Sequence, residues 1–435
     1  MIVTVRRRGS LQGEIRVPGD KSVAHRALLF AGLARGRSEI HGFPGGADNR
    51  ATRSIIESLG AHSEVSPEGL LSVTGFGANP VEPDHVLDCL NSGTTARLTM
   101  GMLAGFDLSA TLTGDDSLRR RPMARVTGPL RAMGATIVGR SDGARLPLAI
   151  SGGRLGNHSH TSPVASAQVK SALLLAGLTG GVSVEVREPA PSRDHTERFL
   201  RWLGYPCRSE GATATLDSSV LGHEGFRMGI PGDPSGAAFW AALSALDPAA
   251  SVTLPGVCWS SGRIGFFRLL AQMGVDLHLD RVVDDGPEDI ASLRVEGRVE
   301  RGIKVEGDAV VAAIDELPLL ALMGLFVESG VLIREAEELR TKETDRIETT
   351  AAVARALGGE VETWQDGLAV RPGKGFPEAA EVDSAGDHRI AMAATVAALA
   401  GGTELRLRGA DAVAVSYPAF WETLVAHGAA EVDTE

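Results

Sequence analysis

Six short segments set cations, hydroxyls or carboxylates in front of runs that are otherwise almost wholly apolar. The first is Gly19-Asp20-Lys21-Ser22, with Arg26 four residues past Ser22; the second is Asn91-Ser92-Gly93, followed by Arg97. The third is Ser166-Ala167-Gln168, the fourth Gly232-Asp233-Pro234-Ser235, the fifth carries Asp315, and the sixth is Gly386-Asp387-His388-Arg389. If each opens a helix, its free N–H groups and the positive end of its dipole favour a phosphate or carboxylate. Ser, Asp, Asn and Gly also suit helix starts through capping alone, and Asp315 is open to that reading. Capping does not account for Lys21, Arg97 and Arg389, because a cation at that end opposes the dipole unless an anion lies between them. Anion binding is the chemistry these residues suit.

Two more cationic stretches point the same way. Lys342 and Arg346 stand four residues apart, which on one helix face is a like-charge pair costing about 0.2–0.5 kcal/mol. A bound dianion offsets that cost; an ordinary solvated helix screened by Glu343 and Asp345 is the alternative. Arg119, Arg120 and Arg121 precede Pro122, where extended backbone is favoured. One arginine of the three is expected to turn inward and the others to stay at the surface.

The elements behind these residues repeat. Amphipathic runs end in a glycine at Gly60, Gly134, Gly204, Gly274, Gly358 and Gly428, a spacing of about 70 residues that marks repeated supersecondary units. Glycine after a helical run fits the position where positive φ is needed. Between them lie six apolar, Ala-rich runs starting at Ser22, Thr94, Ala167, Ser235, Leu317 and His388, apolar on every side and so expected to be buried helices. Alternating segments such as Ser183–Glu188 follow and read as strands. The expectation is an α/β fold of six strand-helix-strand-helix-strand units, three to a domain. Pro/Gly hinges near Val17–Asp20 and Gly229–Ser235 place one domain at 20–232 and a second at 1–19 plus 233–435.

Composition removes several classes of function. The net charge of −12 and aromatic content of 4% fit neither a nucleic-acid groove nor a base-stacking platform. Cys89, Cys207 and Cys258 are isolated, with no zinc-ligand spacing or disulfide framework, and suit a reducing compartment. No run approaches the roughly 18 apolar residues of a membrane span, and the basic start at Arg6–Arg8 lacks the apolar stretch of a signal peptide. The expected protein is cytoplasmic and monomeric, acting on small molecules without metal, cofactor, nucleic acid or membrane.

The segments PGDKSVAHRALLFAGL, NSGTTAR, RRRPM, SAQVKSALLLAGL, LRTKETDR and GDHRIAMA occur in that order. Together they resemble the 5-enolpyruvylshikimate-3-phosphate synthase family, from Val17 to about Pro418. The resemblance implies two inside-out α/β domains with pseudo-threefold symmetry, closing over phosphoenolpyruvate and shikimate 3-phosphate. By position it implies that Lys21, Ser22, Arg26, Ser166, Ala167, Gln168, Arg193, Asp315 and Lys342 hold shikimate 3-phosphate. Lys21, Gly93, Arg121, Gln168, Arg346 and Arg389 would hold phosphoenolpyruvate. Asp315 is then the expected base on the 5-hydroxyl, with Glu343 and Lys21 as acids for the C3 proton.

Two departures stand out. Ala167 replaces a serine that many relatives have, and Val415-Ser416-Tyr417-Pro418 lacks a lysine found before a Thr-Phe-Pro in many others. Both traits resemble members that tolerate glyphosate, whereas Gly93 resembles the sensitive ones. The UDP-N-acetylglucosamine enolpyruvyl transferases are a rival, but the stretch Thr113–Met123 lacks their reactive cysteine. A phosphometabolite-binding protein without turnover is the other; Asp315 and Glu343 beside the cations count against it, since anion binding alone gains nothing from carboxylates.

Overall fold

Burial of the Ala- and Leu-rich runs organises the chain. They form helices α1 (Lys21–Leu33), α2 (Gly93–Ala104), α3 (Ala167–Gly180), α4 (Pro234–Leu246), α5 (Leu317–Met323) and α6 (His388–Gly401). The structure, a computed structural model, describes residues 1–282 and 286–435. In α1 every residue from Val23 to Leu33 is buried. Small side chains let such helices approach closely: a Cβ on Gly101 of α2 would lie 2.1 Å from the Ala172 carbonyl of α3, so only glycine fits there.

Outside these lie helices buried on one side: Ala47–Ser58, Ala124–Met133, His195–Trp202, Gly265–Gln272, Arg346–Ala356 and Phe420–Ala426. The six repeat glycines follow them with φ between +73° and +124°, the left-handed turn expected there.

Among the described residues, six four-stranded sheets complete the repeats, all with one plan. In the sheet of Arg227–Gly229, Arg37–His41, Leu71–Thr74 and His62–Val65, the first pair is parallel and the next two antiparallel. The same sequence of one parallel and two antiparallel pairings recurs in the other five. The first strand of the chain, Ile2–Arg7, lies between Glu404–Arg408 and Ala430–Thr434. Gln12–Glu14 pairs with Ser251–Thr253. Early and late residues thus share the sheet of Ile2–Arg7.

The described residues form two compact units. One contains Met1–Pro18, 232–282 and Asp289–Glu435; the other contains Gly19–Pro231 and the described residues up to Glu288. Glu288 therefore belongs with the middle of the chain, although the Pro/Gly hinges had grouped it with the later residues. Each unit has three core helices, three sheets and its own apolar core.

Candidate active site

In the unit built on 19–231, the starts of α1, α2 and α3 carry the predicted residues. Asp20 caps α1 by accepting the Val23 N–H at 2.9 Å. Lys21 is then the first helical residue, half-buried, with Nζ 3.0 Å from Asp48 Oδ2. Asn49 donates to the Lys21 carbonyl at 3.1 Å. Behind this contact runs a buried chain of short hydrogen bonds. His25 Nδ1 meets Thr52 Oγ1 at 2.7 Å, Thr52 meets Thr95 at 2.7 Å, and Thr95 donates to Ser92 Oγ at 2.8 Å. It locks the start of α1 to that of α2. Burial pushes the His25 imidazole down to about 3, so it is neutral at physiological pH.

Arg26 is 3% exposed and spends one donor on each of three partners. Nε gives to Thr196 Oγ1 at 2.7 Å, Nη2 to Ser171 Oγ at 2.8 Å, and Nη1 to the Ser22 carbonyl at 2.9 Å. Burial draws the guanidinium down to about 10, with Glu197, Glu288 and Asp20 opposing that fall and Arg193 adding to it. The charge of Arg193 is therefore close enough to be felt. Arg193 itself is half-buried, two residues before the helix His195–Trp202.

At α2, Ser92 is the cap and accepts the Thr95 N–H. Arg97 Nη1 donates to Gln168 Oε1 at 2.5 Å, and its Nη2 to the Pro122 carbonyl at 3.0 Å. Gln168 in turn donates to Thr94 at 3.0 Å. Of the three arginines before Pro122, Arg121 turns inward, donating to Asn91 Oδ1; Asn91 gives its amide to Asp115 at 2.6 Å. Arg119 pairs with Asp116 and Arg120 is exposed. Arg121 has extended backbone, as a residue before proline should. Gly93 is buried. Ser166 is the N-cap residue of α3 but makes no side-chain capping bond; its N–H goes to Glu188 Oε1 at 2.6 Å.

In the other unit, an alternating series of charges links the starts of α4, α5 and α6. Asp233 caps α4 and receives Arg263 Nη2 at 2.6 Å. Ser235 donates to Glu316 Oε1, which also takes Arg389 Nη1 at 3.3 Å. Arg389 Nη2 stands 3.7 Å from Asp315 Oδ2, and Arg346 Nη1 3.6 Å from Asp315 Oδ1. Arg346 is 1% exposed and also binds Asp387 at 2.7 Å and Glu343 at 2.6 Å. Burial opposes its charge, but Asp387 and Glu343 outweigh that and hold the guanidinium above its usual range. Asp387 is buried too, which alone would raise its carboxyl; Arg346 overcomes this and keeps it below the usual range.

Asp315 is not the cap of α5. That position belongs to Glu316, which makes no side-chain capping bond. Asp315 stands one residue earlier, about 17% exposed, its two oxygens directed to two arginines. Arg346 Nη1 is buried and makes no hydrogen bond among the described residues.

The comparisons with known proteins bear on this geometry. A family model described as EPSP synthase (3-phosphoshikimate 1-carboxyvinyltransferase) matches residues 5–424. The chain belongs to the EPSP synthase family. A 3-phosphoshikimate 1-carboxyvinyltransferase of Desulfitobacterium hafniense (strain DSM 10664 / DCB-2) is 44% identical over 417 residues, covering 96% of this chain and 95% of the relative. One from Synechococcus sp. (strain RCC307) is 44% identical over 424 residues, with 96% and 97% covered. A solved EPSP synthase from Acinetobacter baumannii superposes with a TM-score of 0.87 at 35% identity, covering both chains fully. The enolpyruvyl transferase NikO from Streptomyces tendae shares the fold, with a TM-score of 0.80, 18% identity and 99% and 98% coverage.

Within this EPSP synthase family member, one sequence expectation is corrected. Lys342 and Arg346 do not share a helix face. Lys342 follows the 3-10 turn Glu337–Thr341 with extended backbone and pairs with Glu338 at 2.7 Å, while Arg346 opens the next helix. Asp345 caps that helix by accepting the Ile347 and Glu348 N–H groups. The other predicted residues lie at helix starts or beside them: Lys21, Ser22, Arg26, Gly93, Arg121, Ser166, Ala167, Gln168 and Arg193 in one unit, Asp315, Glu343, Arg346 and Arg389 in the other. Sequence reasoning missed Asp48, His25, Thr52, Glu188, Lys170, Arg263 and Glu316. Among the described residues, no group of three or more His, Cys, Asp or Glu side chains is arranged for a metal ion. No helix there is long and apolar enough to cross a membrane.

Proposed function

We propose that Asp315 is the base in the reaction of this family, transfer of the enolpyruvyl group of phosphoenolpyruvate to the 5-hydroxyl of shikimate 3-phosphate. The observation that carries the assignment is its setting. Asp315 holds no helix end, is partly open, and faces Arg346 and Arg389 at 3.6 and 3.7 Å, so its two oxygens are oriented by two guanidinium groups.

The reaction needs a proton on C3 of phosphoenolpyruvate and attack of the 5-oxygen on C2. The new C–O bond forms as Asp315 takes the hydroxyl proton, and the C3 proton comes from Glu343 or Lys21. Collapse then breaks the C2–O bond to phosphate, which leaves with the proton that Asp315 had taken, and returns a C3 proton to its donor, restoring the double bond. Arg121, Arg346 and Arg389 carry the carboxylate and phosphate of phosphoenolpyruvate, with Gly93, Gln168 and Lys21. Arginine suits that task because its planar fork meets such groups bidentately. Ser22, Arg26, Ser166, Ala167, Gln168 and Arg193 hold shikimate 3-phosphate, with Lys21, Asp315 and Lys342. Preorganised cations aimed at developing charge are the main source of rate.

The protein works as a cytoplasmic monomer on these two small molecules; its three cysteines are buried and none is in a disulfide, which suits a reducing setting. Phosphate release on mixing both substrates tests the whole reading. Release from the pair, and from neither alone, supports it; binding of both without release leaves a phosphometabolite-binding protein. Light scattering checks the monomer.

A further inference from the structure

One buried carboxylate ties together two segments that the proposed function assigns to the phosphate of shikimate 3-phosphate. Glu188 Oε1 accepts the Ser166 N–H at 2.6 Å, and Oε2 accepts the Ser192 hydroxyl at 2.7 Å. Ser166 opens α3, and Ser192 immediately precedes Arg193. A carboxylate here has the wrong sign for a phosphate site, and its side chain is 1% exposed, so water does little to screen it. Lys170 supplies the screening from within. Its Nζ lies 3.0 Å from Glu188 Oε2 and 2.9 Å from Glu197 Oε1, and it reaches the Ser192 carbonyl at 3.4 Å. Lys170 stands four residues after Ser166, so α3 carries both the phosphate strip and the counter-charge to its support. Burial pulls the ammonium down, but Glu197 and Glu188 outweigh this and hold it above its usual range.

Three buried charges are a poor device for stability, since apolar groups of similar size commonly do as well. They make sense where a backbone N–H and a hydroxyl must be held at a fixed spacing. We infer that Glu188 is a positioning residue for the acceptor's phosphate: it sets the start of α3 and the Ser192–Arg193 turn so that both reach one phosphate, while Lys170 neutralises it. Glu188 itself does not touch substrate. The inference rests on the reading that Ser166, Gln168 and Arg193 hold that phosphate.

Glu188→Gln tests it, because the amide oxygen can serve one arm while its NH2 faces donors at the other. KM is measured for each substrate separately, and affinity for shikimate is compared with that for shikimate 3-phosphate. The expected result is a KM for shikimate 3-phosphate raised on the order of ten-fold, with KM for phosphoenolpyruvate and affinity for shikimate unchanged. Glu188→Asp, retaining the charge, is expected to recover part of the loss. An unchanged KM for shikimate 3-phosphate in folded Glu188→Gln overturns the inference, as does an equal rise for both substrates. Arg193→Ala, run in parallel, separates the two levels: if it leaves that KM unchanged, the phosphate assignment fails and the inference falls with it. If Arg193→Ala raises it and Glu188→Gln does not, only the role of Glu188 is lost. Should Glu188→Gln not fold, Ser192→Ala removes one arm alone and carries the same comparison.

Discussion

The guanidinium of Arg97 lies over Gly93: a Cβ added to Gly93 would sit 2.7 Å from Arg97 Nη1 and 3.6 Å from Arg121 Nη1. Arg97 is also the donor to Gln168 and to the Pro122 carbonyl. A single methyl group therefore bears on Arg121 directly and on Gln168 through Arg97, and the proposed function places both Arg121 and Gln168 around phosphoenolpyruvate.

Gly93→Ala is expected to fold normally, because alanine is favoured in a helix and the atom it meets is the tip of a flexible side chain. KM for phosphoenolpyruvate should rise on the order of ten-fold, about 1.4 kcal/mol, with that for shikimate 3-phosphate little changed. Steady-state kinetics check this. A glyphosate inhibition curve on both proteins tests whether Gly93 governs sensitivity; the variant's curve is expected at higher concentration.

Replacing Asp315 separates catalysis from capping. Since Glu316 holds the cap position, Asp315→Asn should change stability by less than the ~1 kcal/mol of a lost cap. Turnover should fall by about 10²–10⁴-fold. Urea melts beside phosphate-release rates give both numbers; a large loss of stability with turnover retained would contradict the assignment.

Asp387→Asn should behave in the opposite way. It leaves buried Arg346 with Glu343 and Asp315 but without the charge of buried Asp387, and removal of one partner from a buried pair costs about 3–5 kcal/mol. The Asp387 carboxyl is depressed in the folded protein, so its stabilisation is fully present above the unfolded value of about 3.9. It is lost as pH falls below that, through the folded value. The gap in stability between wild type and variant should thus hold from neutral pH to about pH 4 and then narrow.

His25 makes a separate pH prediction. With its folded value near 3, the unfolded chain binds a proton that the folded one does not. Stability should fall as pH drops below about 6.5, by up to ~1.4 kcal/mol per pH unit for this one proton. His25→Asn should remove that increment. Its imidazole resonances should not titrate between about pH 5 and 8.

Much of the architecture was legible because its signals are local. A glycine after an amphipathic run and an apolar stretch after a polar start are read within a dozen residues. Pairings at long range were not. Nothing in the sequence joins Thr52 to Thr95, or Glu188 to Ser166, since each looks like an ordinary polar residue in its own segment. Lys342 and Arg346 show a different failure. Their spacing suggested one helix, yet Asp345 and Glu348 already spelled a helix start, and the chain bends just before it.

The antiparallel seating of Ile2–Arg7 between Glu404–Arg408 and Ala430–Thr434 has a consequence for biosynthesis. The ribosome makes this strand long before Glu404–Arg408 and Ala430–Thr434 emerge. Residues 19–231 can be packed long before then. Nascent chains stalled near residue 300 are expected to protect that stretch from protease while Ile2–Arg7 stays cleavable, and the second unit is expected to close only once both partner strands are free to pair with it.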